Sequence, residues 1–102
     1  MSRLINIQPV PRELPASLTL SVGDVMLFAA SGGHVLDGVA VELRGSFVES
    51  VLGTDGRVHT PMGPPNVVLF FAREPGQAVI DIVTGDPWHS PATRRMTVVV
   101  QV

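Results

Sequence analysis

Nine prolines and ten glycines are spread over the whole length of this 102-residue chain, and between them little room is left for a helix of ordinary length. They cut the sequence into apolar runs of about six to eight residues, the spacing of short strands joined by turns. SLTLSV (17–22) alternates, with Leu18, Leu20 and Val22 on one face, before Gly23 and Asp24 turn the chain into VMLFAA (25–30). VAVELR (39–44) sets Val39, Val41 and Leu43 inward and Glu42 and Arg44 outward; FVESVL (47–52) follows a break at Gly45 and Ser46. NVVLFFA (66–72) is apolar on both faces, which predicts a central strand covered on one side by an opposing sheet and on the other by loops or a partner. Glu74-Pro75-Gly76-Gln77 has the residues of a type II turn and leads into AVIDIVT (78–84); MTVVVQV (96–102) closes the chain.

About seven short antiparallel strands in a single domain, 1–102, predict an all-β immunoglobulin-like β-sandwich, with a small barrel as the rival. A domain of this size buries roughly two thirds of its unfolded surface, enough for one core. An apolar content of 45% is ordinary, and a charged content of 16% is low against a typical ~25%, so disorder is not expected. All the Lys+Arg residues are arginines, the usage of a GC-rich, bacterial genome, and a net charge of −2 leaves no electrostatic footprint for nucleic acid. With no cysteine there is neither a disulfide framework nor a thiolate nucleophile. The first residues lack the apolar stretch of a signal peptide, and no run is long enough to span a membrane, so the expectation is a soluble, cytoplasmic protein.

If each strand reverses direction, the second, fourth and sixth connections gather at one end of the sandwich. They are SGGHVL (31–36), GTDGRVHTPMGPP (53–65) and GDPWHSPATR (85–94), the longest and most Gly/Pro-rich of all. Loops of this kind on a rigid scaffold are where binding sites are usually built. The last carries Trp88, the only tryptophan in a chain without tyrosine, between Pro87 and Pro91. An indole on a stiffened loop binds a partner with little loss of entropy; alternatively it folds down as a lid over the end of the core. The partner-binding candidates are Gly32, Gly33 and His34, then Met62, Gly63 and Pro64, then Asp86, Pro87, Trp88 and His89, with Arg94 and Arg95 as a polar rim. In this scheme Gly33 and Gly63 let a partner backbone approach closely.

His34, His59 and His89 fall one to a loop, and three imidazoles would suit zinc, but no short H-x-H or H-E-x-x-H spacing supports it; we expect no metal and no cofactor. No Gly-x-Ser-x-Gly elbow surrounds Ser31, Ser46 or Ser90, so we expect no enzyme. Gly32-Gly33 opens no evident helix and does not read as a phosphate loop. Asp81, between Ile80 and Ile82, is either an outward polar residue, the commoner case, or a buried carboxylate with a partner.

GQAVIDIVTGDPW (76–88) resembles, in length and pattern, the turn glycine, strand and Arg-Pro-Trp loop of the chagasin-type inhibitors of papain-like cysteine peptidases. Pro87 and Trp88 match; Asp86 stands where that family has arginine. Pro61-Met62-Gly63-Pro64 falls where Gly-x-Gly-Gly is expected, with Gly63 matching, and SGGH departs from Asn-Pro-Thr-Thr-Gly in the first loop. The resemblance covers about a third of the chain, chiefly the C-terminal part. It implies an immunoglobulin-like fold that plugs a peptidase cleft with three loops. The residues lead to a protein-binding module with a protein or peptide partner; a peptidase inhibitor is the alternative, and a subunit of a larger assembly, pairing through NVVLFFA and VVVQV, is the third.

Overall fold

The computed structural model describes residues 2–7, 15–85 and 91–102. Among them there is no helix, and the strands in chain order are β1 (Leu4–Ile7), β2 (Ser17–Ser21), β3 (Val25–Phe28), β4 (Gly32–Asp37), β5 (Val41–Phe47), β6 (Val51–Leu52), β7 (Val58–His59), β8 (Val67–Ala72), β9 (Gly76–Thr84) and β10 (Ala92–Gln101). Two four-stranded sheets, ordered β1-β3-β8-β5 and β2-β10-β9-β4, face each other as an immunoglobulin-like sandwich, and β6 and β7 form a separate hairpin.

The alternation read from the sequence places the core. Met26 and Phe28 of β3, Val68, Phe70 and Ala72 of β8, Ala78, Ile80 and Ile82 of β9, and Met96, Val98 and Val100 of β10 are all buried. Each large side chain removed from water here contributes roughly 1.5–3 kcal/mol. The rings of Phe28 and Phe70 meet edge to face at the centre, 5.8 Å apart and 87° between planes.

Four sequence expectations need correction. Residues 31–36 were expected as a loop, but all except Ser31 belong to β4, which pairs with β9 along Gly32↔Val83 to Val35↔Ile80. The glycine pair mimics a turn signal, yet Gly33 is there because Phe70 fills the space its side chain would take: a Cβ would lie 2.8 Å from Phe70 Cζ and 3.0 Å from the Asp81 carbonyl oxygen. Gly33 is therefore an internal packing residue and not a surface for a partner backbone. Residues 47–52 are not one strand; β5 ends at Phe47, and Val51 and Leu52 pair with β7. LINI adds β1, parallel to β3, and β2 runs parallel to β10, so the pairing is not antiparallel throughout.

Because β3, β5 and β9 run one way and β4, β8 and β10 the other, the connections sort into two poles. One pole is tied by backbone bonds: Val22 N–H to the Gln101 carbonyl at 2.8 Å, Gly23 N–H to Ala72 at 2.8 Å and Arg73 N–H to Ala40 at 2.8 Å. Asp24 lies within it, 1% exposed. Its carboxylate accepts the Ser21 N–H at 2.8 Å and the Arg3 Nε–H at 3.1 Å, so the turn between β2 and β3 holds the start of β1. The Arg3 guanidinium, and after it the Ser21 amide, hold the Asp24 carboxyl down at about 2.

Since that value lies below the ordinary carboxylate range, this stabilisation is complete above about pH 4 and drains away as the pH falls toward 2. Asp24→Asn is expected to lower stability by roughly 1.5–3 kcal/mol in urea titrations at neutral pH and to flatten the acid limb of the stability curve. Gly33→Ala, which forces a methyl against the Phe70 ring, is expected to cost roughly 1–3 kcal/mol by the same titration. A neutral result would mean that β4 does not sit over Phe70.

Candidate functional site

At the other pole the chain turns from β3 to β4 through 29–31, runs from β5 to β8 through 48–66, and leaves β9 at Gly85. These three segments, far apart in sequence, enclose an open groove of about 530 Å³ lined by Ser31, Val48, Met62, Gly63, Pro65 and Gly85 among others. The first wall is fixed by Ser31, whose N–H and Oγ both donate to the Val83 carbonyl, at 2.9 and 3.1 Å. The second is closed at its neck by the Asn66 N–H bond to the Phe47 carbonyl at 2.9 Å and by Asn66 Oδ1, which accepts the Glu49 N–H at 2.7 Å.

Beyond that neck the β6–β7 hairpin projects, turning through residues 53–57. Asp55 Oδ1 accepts the Arg57 N–H at 3.0 Å and lies 3.1 Å from His59 Nε2. These contacts, the Arg57 amide first, lower the Asp55 pKa. Ser50 and Thr60 hydroxyls meet at 2.8 Å across the base. The hairpin shows solvent an apolar surface: Leu52 is 74% exposed, Val58 69% and Val51 64%, with Met62 fully exposed beside them. Sequence reasoning missed this feature. Its signal was Asp55-Gly56, a hairpin-turn dipeptide between VL and VH, hidden when residues 47–52 were read as one strand.

Of the residues expected at the site, Met62, Gly63 and Pro64 line the groove. Gly63 has φ +135° with open space where a Cβ would be, a conformation that favours glycine and leaves its backbone uncovered. From the first segment Ala29, Ala30 and Ser31 form the groove wall, and the expected Gly32 follows them as the first residue of β4, outside it. His34 is exposed in mid-strand, in register with Asp81. Asp81 resolves as both expected alternatives at once: it points to the outer face of its sheet, yet it is 7% exposed and accepts a hydrogen bond from Arg95 Nε at 3.1 Å. Arg95 thus serves Asp81. Asp86, Pro87, Trp88 and His89 lie outside the described residues. Gly85, the last described residue before them, stands on the groove wall.

Two solved structures share this fold. Amebosin, in solution, matches with a TM-score of 0.52 and 15% identity over 99% of each chain. The crystal structure of the cysteine protease inhibitor EhICP2 from Entamoeba histolytica matches with a TM-score of 0.52 and 12% identity, over 98% of this chain and 95% of that one. At these identities the likeness is one of fold, and it spans the whole chain, not the C-terminal third to which the sequence resemblance was confined. No family model and no curated protein sequence matches.

Among the described residues no three His, Cys, Asp or Glu side chains gather as a metal group. His34 on β4 and His59 on β7 belong to different sheets. Addition of zinc is expected to leave the ring NMR signals of both histidines unshifted; a joint shift at stoichiometric zinc would show that they share an ion.

Proposed function

We propose that this chain is a non-enzymatic protein-binding module that inhibits papain-like cysteine peptidases by seating its groove-bearing pole in their cleft. The observation that carries this reading is the meeting of Ser31, the 61–66 segment and Gly85 around one groove, in a chain whose fold is shared end to end with a cysteine protease inhibitor. Loops held by strands at fixed distances present a preorganised edge, and such an edge loses little entropy on entering a cleft.

Pro61, Pro64 and Pro65 bear on why an inhibitor of this shape is not itself cut. A peptidase holds a substrate backbone extended by pairing with its N–H and carbonyl groups. Proline lacks the N–H and fixes φ, so 61–65 makes a poor substrate strand while still offering Met62 as an apolar contact and Gly63 as bare backbone. Trp88, between Pro87 and Pro91, supplies the aromatic anchor of the third loop. Asp86 carries the opposite charge from the arginine of the inhibitors it resembles, and so selects peptidases whose rim is basic at that point.

Mixed with papain and with a panel of papain-like enzymes, the purified chain is expected to inhibit reversibly and to remain uncut in mass spectra. Trp88→Ala and Met62→Asp are expected to weaken inhibition roughly 10- to 100-fold with an unchanged circular dichroism spectrum. Full peptidase activity across the panel at saturating chain, or steady cleavage within 61–66, would overturn the proposal.

A further inference from the structure

The two outer faces of the sandwich differ in kind. Outside β2-β10-β9-β4, the small Val79, Val83 and Val99 are interspersed with Thr19, Thr97, Gln77, Asp81, Arg95 and His34, a mixed and largely polar sheet surface. Outside β1-β3-β8-β5 lie Leu4, Val25, Leu27, Leu69, Phe71 and Phe47. Among the described residues this apolar face has little cover: the Arg44 guanidinium sits over the Phe71 ring, 4.6 Å from its centroid, and Phe47, 46% exposed, lies over Gly45. NVVLFFA is apolar on both sides; on its outer side Val67 is buried, and Leu69 and Phe71 are half-buried.

From this face we infer that the protein forms a two-fold dimer by packing the β1-β3-β8-β5 sheet against the same sheet of a second copy. Three observations point to a second copy. First, the charges at the rim are self-complementary: Glu42 and Arg44 stand together on β5, 3.7 Å apart. A two-fold axis crossing β5 at Leu43 places each copy's Glu42 opposite the other's Arg44 and sets Phe71 against the partner's Leu69. Secondly, the patch is large enough. Strand spacing and rise give a four-stranded face a projected area of roughly 400 Å², already that of the largest apolar patches on monomers. Two such faces with their rims approach the ~1,000 Å² at which specific interfaces begin, the small end of the range, where weak and reversible pairing is found.

Thirdly, edge-to-edge growth is disfavoured. The edge strands β5 and β4 each carry a register shift, between Leu43 and Gly45 and between Val35 and Asp37, and a bulged edge makes a poor template for another strand. Of the other two edges, β1 is only four residues long and β2 five, so each offers little backbone to a new strand. The dimer does not use the groove-bearing pole, so its existence and peptidase inhibition are separable.

Sedimentation velocity of the full chain across a concentration series is expected to show a monomer–dimer equilibrium in the micromolar range. Leu69→Lys is expected to shift it at least tenfold toward monomer. Glu42→Arg and Arg44→Glu alone should each weaken the dimer, and the double exchange should restore it, because the rim pairs are rebuilt with reversed sign; these exposed positions also avoid a folding defect. A chain that stays monomeric at millimolar concentration, or a dimer indifferent to both Leu69→Lys and the rim exchanges, would overturn the inference. Peptidase inhibition by Leu69→Lys, measured in parallel, is expected to equal that of the unaltered chain.

Discussion

Phe70 is the contact on which the rest of the sandwich depends. Its ring stands between the sheets, edge to face with Phe28 of its own sheet, and occupies the space over Gly33 in the opposite one. Packed interiors tolerate neither a void nor an extra methyl at such a point, so the fit sets the position of β4 as well as the distance between layers. Once β4 lies there, Ser31 is carried to the pole where Gly85 leaves β9, and the two segments form adjacent walls of the groove.

The two poles divide the work. One is closed by backbone hydrogen bonds between turns and by the buried Asp24 carboxylate, which ties Arg3, Ser21 and hence β1 to the turn between β2 and β3. The other is rich in glycine and proline, and there the chain exposes apolar side chains at Met62, Leu52 and Val58. A rigid end that anchors and an open end that displays is the arrangement expected of a scaffold that presents loops to a partner. The outer faces add a second, independent asymmetry. Sheet periodicity alone sends every other residue outward, and on β8 those residues are Val67, Leu69 and Phe71.

Much of this was legible along the chain. The period-two pattern put Leu20, Val41, Met96, Val98 and Val100 on inward faces, where they are buried; it put Val22 and Val39 there as well, and both are exposed because they lie just beyond the ends of their strands. β8 was readable as a central strand because both its faces are apolar. The failures share a cause: short-range signals were taken at face value where a distant residue governed. Gly32-Gly33 resembled a turn, but Phe70, distant in sequence, makes it a strand. Phe47 to Leu52 looked continuous, but Asn66 binds Glu49 and closes the neck, so the chain bends away into a hairpin. LINI was too short to stand out until β3 offered it an edge.

The sequence by itself determined that the protein is all-β, that its strands turn about every ten residues, and which side of the alternating strands is apolar, because these follow from local sterics and from alternation within one strand. Tertiary structure alone decided which strands are neighbours, that Gly33 faces inward, that Asp24 is buried with Arg3, and that Ser31, Met62 and Gly85 share a groove. Those are relations between residues many positions apart, and they are set by which layers pack best against each other, a quantity no single stretch of chain contains.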